Sequence, residues 1–293
     1  MCLCVCGFMV LEENNLPIFQ FREEHLPGSG IYFDVLDILF SAHSKYQKIE
    51  VLQTISYGKI LLVDEKVMLT ERDEFVYHEM LTHVPLSLSD KIKEILIIGG
   101  GDGGSARECL KHKNVRRVKQ VEIDEMVVEV SKKFFPTLSS SFSDPRFELC
   151  ICDGINFVRQ TSEKFDLVIV DSTDPIGPAV GLFETDFFKD VKRILNSDGI
   201  LVFQLESPWC HLDFIKEISK KIKEIFPIFK NYLAFIPTYP SGMWSFGFAS
   251  ISIDPLMELS DKACIEGLRY YTPEIHKASF ALPKFFKNSL SDV

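Results

Sequence analysis

The run Ile95-Leu96-Ile97-Ile98 passes directly into Gly99-Gly100-Gly101-Asp102-Gly103-Gly104, and a helix is expected to begin near Ser105. A short apolar run bounded by glycine reads as a strand buried on both faces. Glycines permit the tight turn and the close approach of backbone to ligand that a nucleotide fold needs there. The same pattern repeats downstream. Val118–Val121 leads to Glu122, Phe147–Cys152 to Asp153 and Phe165–Val170 to Asp171, while Gly199–Leu205 follows a helix ending near Asn196. Strands alternating with helices imply βαβ units and a parallel sheet with both faces covered. Three of these strands deliver an acidic residue at the carboxyl end, where open α/β sheets bind ligands.

The pattern is different before about residue 75. Ile31–Leu36 is a strand candidate, Lys48–Thr54 alternates with period two, Tyr57-Gly58 marks a turn and Lys59–Asp64 gives the return strand. These short strands predict a small antiparallel β unit. The whole chain is α/β, with residues 1–74 expected as the β-strand domain and residues 75–293 as the larger, sheet-and-helix domain.

With 293 residues, 46% of them hydrophobic and 25% charged, the chain can bury a sizeable core and has the make-up of a soluble protein. A net charge of −10 disfavours nucleic acid as a partner and is compatible with cationic ligands. Cys2, Cys4, Cys6, Cys109, Cys150, Cys152, Cys210 and Cys264 form no CxxC pair and no zinc spacing, which suits a reducing compartment. Cys150 and Cys152, in an apolar run, are expected to be buried. The apolar first eleven residues lack a basic flank and are too short to span a bilayer, so a cytoplasmic protein without a membrane partner is expected.

Two ligands compete for the glycine loop. A dinucleotide would set its pyrophosphate at the helix N-terminus, but Asp102 in mid-loop would repel it. A nucleoside with a cationic tail fits better. S-adenosylmethionine and its decarboxylated form both carry a sulfonium, and the decarboxylated form ends in an ammonium with no carboxylate beside it. Asp102 would attract that ammonium; the alternative is that Asp102 only shapes the turn. Glu122 is placed to accept from ribose hydroxyls. Asp153-Gly154 could receive an adenine amino group, cap the next helix, or do both.

A second acidic loop, Asp171-Ser172-Thr173-Asp174-Pro175-Ile176-Gly177-Pro178, follows the fourth strand. Asp102, Asp171 and Asp174 without a matching Arg or Lys would repel one another, and a polycationic substrate would relieve this. Metal binding is the rival explanation and ranks lower, because no phosphate-binding lysine accompanies the carboxylates. Ile236–Trp244 reads as a rigid loop, and Glu71–Glu79 as the start of the larger unit's first helix.

Taken in order, Ser44–Ile49, Thr70–Phe75 with Tyr77-His78-Glu79, Ile97–Gly104, Val121–Asp124, Asp171–Pro175, Thr238–Gly242, Tyr270-Tyr271 and His276–Pro283 resemble spermidine synthases, of the polyamine aminopropyltransferase family, from about residue 20 to the C-terminus. The resemblance implies a Rossmann-like methyltransferase-type parallel sheet domain preceded by a small antiparallel β domain, assembled as a homodimer or homotetramer. It implies aminopropyl transfer from decarboxylated S-adenosylmethionine, a co-substrate, to putrescine, yielding spermidine and methylthioadenosine without metal or other cofactor. By the same resemblance Gln47, Asp102, Glu122, Asp153, Gly154, Pro178 and Leu182 hold the donor, Asp171 is the general base helped by Tyr77, and His78, Asp174, Gln204 and Tyr239 line the acceptor channel. His78 stands where some members carry Gln, Leu26 where some carry Trp, and Trp244 is bulky beside the acceptor loop. Agmatine, cadaverine or spermidine as acceptor, putrescine N-methyltransfer, and a non-catalytic polyamine sensor are the competing readings.

Overall fold

The computed structural model describes residues 16–175, 177–260 and 265–291. Cys2, Cys4, Cys6, Cys264, Ile176 and the apolar start of the chain lie outside the described residues, as does the side chain of Pro178.

The chain first builds a five-stranded antiparallel sheet from β1 (Phe19–Leu26), β2 (Ser29–His43), β3 (Lys48–Thr54), β4 (Lys59–Val63) and β5 (Lys66–Thr70), in sequential order. The sequence pattern pointed to only part of this sheet. β1 and β5 were not expected, and the candidate Ile31–Leu36 is a piece of the 15-residue β2. On β3, Ile49 and Val51 turn inward and Glu50 outward, as the period-two alternation requires.

Helix α1 (Glu74–Leu86) then leads into β6 (Glu94–Gly99), α2 (Gly104–Leu110), β7 (Arg117–Glu122), α3 (Glu125–Phe134), β8 (Phe147–Ile151), α4 (Gly154–Gln160), β9 (Phe165–Asp171), α5 (Thr185–Ile194), β10 (Leu195–Gln204), α6 (Leu212–Ile225), β11 (Ile228–Phe235), β12 (Met243–Ser250), α7 (Pro273–Ser279) and α8 (Lys284–Ser289). These strands form a seven-stranded sheet in the order β11-β12-β10-β9-β6-β7-β8. The expected parallel sheet runs from β10 through β9, β6 and β7 to β8, and β12 adds an antiparallel strand against both β10 and β11, so the whole sheet is mixed. A short connection at residues 236–242 joins β11 to β12, which is hairpin geometry and cannot give a parallel pair.

The central strands are buried on both faces. Ile95 and Ile97 of β6 join Met80, Leu81 and Val84 of α1 on one side, while Leu96 and Ile98 join Phe187, Phe188 and Val191 of α5 on the other. Helix α5 shows why it docks there: Phe187, Phe188, Val191 and Ile194 share its buried face. The small sheet is welded to the large one by a third cluster, in which Ile49, Val51, Leu61 and Leu69 pack on Val127 and Val130 of α3 and on Phe135. Cys150 and Cys152 are half-buried rather than buried, because β8 is an edge strand; their sulfurs lie 3.2 Å apart.

Two buried carboxylates fix the frame around the sheet's carboxyl edge. Asp73 accepts from Thr70 Oγ1 at 2.6 Å and from the Thr238 amide and hydroxyl at 3.1 and 2.7 Å, tying the start of α1 to the loop before β12. Glu79 accepts the backbone amides of Arg269, Tyr270 and Tyr271, each at 2.8 Å. Backbone N–H groups that would otherwise be orphaned are thereby paired. Among the described residues no helix is long and apolar enough to cross a membrane.

Candidate active site

At the carboxyl edge the glycine loop folds back on β9. Gly99 and Gly100 have φ of 84° and 67°, and the Gly100 amide donates to the Asp171 carbonyl at 2.7 Å. A Cβ on Gly99 would lie 2.1 Å from that carbonyl oxygen, so this crossing requires glycine.

Behind the loop opens a cavity of about 230 Å³, on the scale of a nucleoside. Gln47, Tyr77, His78, Asp102, Glu122, Asp153, Gly154, Asp171, Leu182 and Tyr239 all line it, so most of the residues singled out from sequence converge here. Asp174 and Gln204 line a smaller, adjoining cavity with Glu23, Lys66, Pro240 and Trp244. Met68, Tyr77, Ser172, Thr173 and Tyr239 border both cavities. His78 contributes to the larger cavity and is not among the residues lining the smaller one.

The larger cavity's polar groups are held from behind. Glu122 accepts from the Asp124 amide at 2.9 Å. Burial, opposed by that bond and helped by the Asp124 charge, pushes the Glu122 carboxyl up to about 7. Gln47 donates to Asp124 at 3.0 Å, which ties β3's approach to the large sheet. Asp153 caps α4, its Oδ1 accepting from the amides of Ile155 and Asn156 at 2.8 and 3.1 Å. The capping reading is therefore realised, at a residue that also faces the cavity.

Asp171 lines the larger cavity, and its partner Tyr77 borders both. Tyr77 donates to its Oδ1 at 2.8 Å and Ser105 to its Oδ2 at 2.6 Å. Burial and the Asp102 charge raise its pKa, against the pull of His78, Ser105 and Tyr77. Asp102 finds its cation in a histidine rather than in an Arg or Lys. His78 bridges Asp102, at 3.3 Å, and Glu74, at 2.7 Å, and Arg107 donates twice to Glu74. Although burial pulls His78 down, Asp102 and Glu74 outweigh it and lift the imidazole to about 10, so it is a cation at neutral pH.

Sequence reasoning missed two carboxylates here: Glu23, which lines the smaller cavity, and Glu206, which stands beside Asp174. Burial, then Glu206 and Glu23, push Asp174 up to about 8, and Asp174 shares a hydrogen bond with Glu206. Glu206 is 2% exposed and holds a φ of 68°, with His211 3.1 Å away; Lys66 lies 3.6 Å from Glu23. Trp244 packs edge-on against Tyr239, and Tyr239 donates to the Met68 carbonyl at 2.6 Å. Among the described residues no group of three or more His, Cys, Asp or Glu side chains converges as a metal site.

A nucleoside-sized cavity at the carboxyl edge of a Rossmann-like sheet, bordered in common with a smaller cavity lined by Asp174 and Glu23 through Tyr77, Ser172 and Thr173, defines a transferase that moves a group between a nucleoside donor and a basic acceptor. Residues 74–260 match the model of the spermine/spermidine synthase domain, and residues 20–71 that of the spermidine synthase tetramerisation domain. The polyamine aminopropyltransferase of Thermoanaerobacter sp. (strain X514) is 51% identical over 261 residues, covering 88% of this chain and 94% of that protein. That of Caldicellulosiruptor saccharolyticus is 47% identical over 265 residues, covering 90% and 95%. A spermidine synthase solved with the transition-state analogue AdoDATO superposes with a TM-score of 0.92 at 38% identity, covering 97% of this chain and 99% of that one. Spermidine synthase from Thermotoga maritima gives 0.90, also at 38% identity, with 97% and 98% covered. The chain belongs to the spermine/spermidine synthase family, and it is an aminopropyltransferase.

Proposed function

We propose that this enzyme transfers the aminopropyl group of decarboxylated S-adenosylmethionine to putrescine, releasing spermidine and methylthioadenosine. The observation that carries this reading is Asp171 on the wall of a nucleoside-sized cavity, hydrogen-bonded to Tyr77, which also borders the narrow cavity lined by Asp174 and Glu23.

Glu122 receives the ribose hydroxyls, Asp153 and Gly154 meet the adenine, Leu182 flanks it, and Gln47 and Asp102 hold the tail, Asp102 taking its ammonium. Asp174, backed by Glu206, receives the distal ammonium of the diamine, while Gln204, Tyr239 and Trp244 border its chain. His78 acts on the donor side, through Asp102, rather than along the acceptor channel.

The attacking amine must lose a proton first. With an ordinary pKa near 10.4 this costs roughly 4–5 kcal/mol at pH 7. Asp171 accepts the proton as the amine attacks, with Tyr77 keeping the carboxylate in place. The nitrogen forms a bond to the methylene carbon next to the sulfonium. The carbon–sulfur bond breaks, its electron pair stays on sulfur, and methylthioadenosine leaves neutral. Holding amine and methylene in line supplies much of the rate advantage.

Assembly through the small sheet fits this reading. Leu26, Tyr32 and Ile38 leave apolar surface exposed around β1 and β2, in the region that matches a tetramerisation domain, and Ile18 and Phe19 extend it just ahead of that region. A homodimer or homotetramer acting in the cytoplasm is the form proposed.

The test is to incubate the enzyme with decarboxylated or intact S-adenosylmethionine and, separately, putrescine, cadaverine, agmatine or spermidine, and to identify products by mass spectrometry. Spermidine from the decarboxylated donor and putrescine is expected as the dominant product. Methylputrescine from the intact donor, or faster turnover of another amine, would replace the proposal with N-methyltransfer or with that acceptor.

A further inference from the structure

We infer that Ser105 is a positioning residue for the reaction: its hydroxyl holds one oxygen of the Asp171 carboxylate while Tyr77 holds the other, so the base is fixed from two sides. The inference rests on the reading of Asp171 as general base.

Ser105 is fully buried and is the second residue of α2, directly after the glycine loop. Its 2.6 Å bond to Oδ2 faces the 2.8 Å bond from Tyr77 to Oδ1. The backbone of Asp171 is pinned as well, through the Gly100 amide. Gly100 closes the third side, since a Cβ there would stand 2.9 Å from Oδ2. A carboxylate offers about four lone-pair sites. Two are used by these hydroxyls, which leaves one on each oxygen for an incoming N–H.

Neither hydroxyl brings a charge, so neither cancels the charge of the base. Both nevertheless favour its ionised form, because hydrogen bonds to a carboxylate oppose its protonation. The groups facing Asp171 are Tyr77 and His78 from α1, Asp102 from the glycine loop, Cys109 from α2, Glu122 from β7 and Tyr239 from the loop before β12. Burial and Asp102 push the carboxyl upward; Ser105 is one of three groups pulling it back. Without the hydroxyl, Asp171 stays protonated to higher pH, and its rotamer is held at one oxygen only. The acid limb of the rate profile must then move up.

Ser105→Thr and Ser105→Val have nearly the same volume and differ in the hydroxyl, so together with Ser105→Ala they isolate the hydrogen bond. Donor affinity by calorimetry checks that each full-length variant is folded, and kcat is followed against pH with decarboxylated donor and putrescine. Ser105→Val and Ser105→Ala are expected to move the acid limb up by about one pH unit and to lower kcat about tenfold at pH 7, with donor Kd within about twofold. Ser105→Thr is expected to restore both. An unmoved limb in Ser105→Val relative to Ser105→Thr would overturn the inference, whether or not donor affinity changes. Asp171→Asn is assayed beside them. If it keeps near-normal turnover, the base reading itself fails; if it is inactive while Ser105→Val matches Ser105→Thr, only the role of Ser105 is removed.

Discussion

Nε2 of His78 lies 3.3 Å from Oδ1 of Asp102, so the carboxylate in the middle of the glycine loop rests against a buried imidazolium. The Gly104 amide donates to the same oxygen at 2.7 Å. Both contacts converge on Oδ1, which orients the carboxylate before any ligand arrives. On the far side of the ring Glu74 balances the charge and Arg107 balances Glu74. The loop is one end of a chain of alternating charge that continues from Arg107 to Glu108 and Lys111.

Truncating the ring breaks that chain where it is 2% exposed. His78→Ala leaves Glu74 and Asp102 without their shared partner and is expected to cost about 3 kcal/mol in urea unfolding at pH 7.5, with His78→Gln costing less. The sign with pH follows from the raised imidazole pKa. The contribution is fully present below the ordinary value of 6.5 and is lost as pH rises through about 10. The stability gap between wild type and His78→Ala is therefore expected to shrink in alkali.

Donor binding is expected to depend on pH through Glu122. Its folded pKa is about 7, raised by burial, and the ionised form accepts from ribose hydroxyls more strongly and at both oxygens, whereas the protonated form gives up part of its acceptor capacity. Affinity for methylthioadenosine, measured by calorimetry, is expected to rise with pH and level off above about 7. Glu122→Gln is expected to bind weakly and to lose that dependence.

The acceptor end is expected to respond separately. Glu206→Gln removes a charge beside Asp174, so KM for putrescine is expected to rise by about 10- to 100-fold, in line with loss of a charge-assisted hydrogen bond, while donor Kd stays put. Equal losses at both substrates would show that Glu206 only supports the loop.

How much of this could be read in the chain depended on range. The strand–glycine loop–helix and the acids ending β7, β8 and β9 are local patterns, and the structure places them at one edge. The pairing of Glu74 with His78 was also readable, since residues four apart on a helix share a face, and that spacing was the missed signal for the buried cation. Glu206 was not readable. Its inward turn depends on a positive φ that non-glycine residues rarely adopt and that no residue pattern announces. Glu23 comes from β1, an unexpected strand, and reaches Asp174 across 151 positions, taking 174 minus 23. The antiparallel β12 hid for a different reason: Met243–Ser250 is buried almost throughout, and an apolar run does not declare its direction.

The central claim is that the glycine loop is half of an acidic clamp, with Asp102 selecting a tail that ends in an ammonium without a carboxylate. The most direct measurement is calorimetric Kd for decarboxylated against intact S-adenosylmethionine, in wild type and Asp102→Asn. Preference for the decarboxylated form by at least about tenfold, about 1.4 kcal/mol, is expected in wild type and should largely vanish in Asp102→Asn. Equal affinities in wild type, or a preference that survives in Asp102→Asn, would contradict the claim.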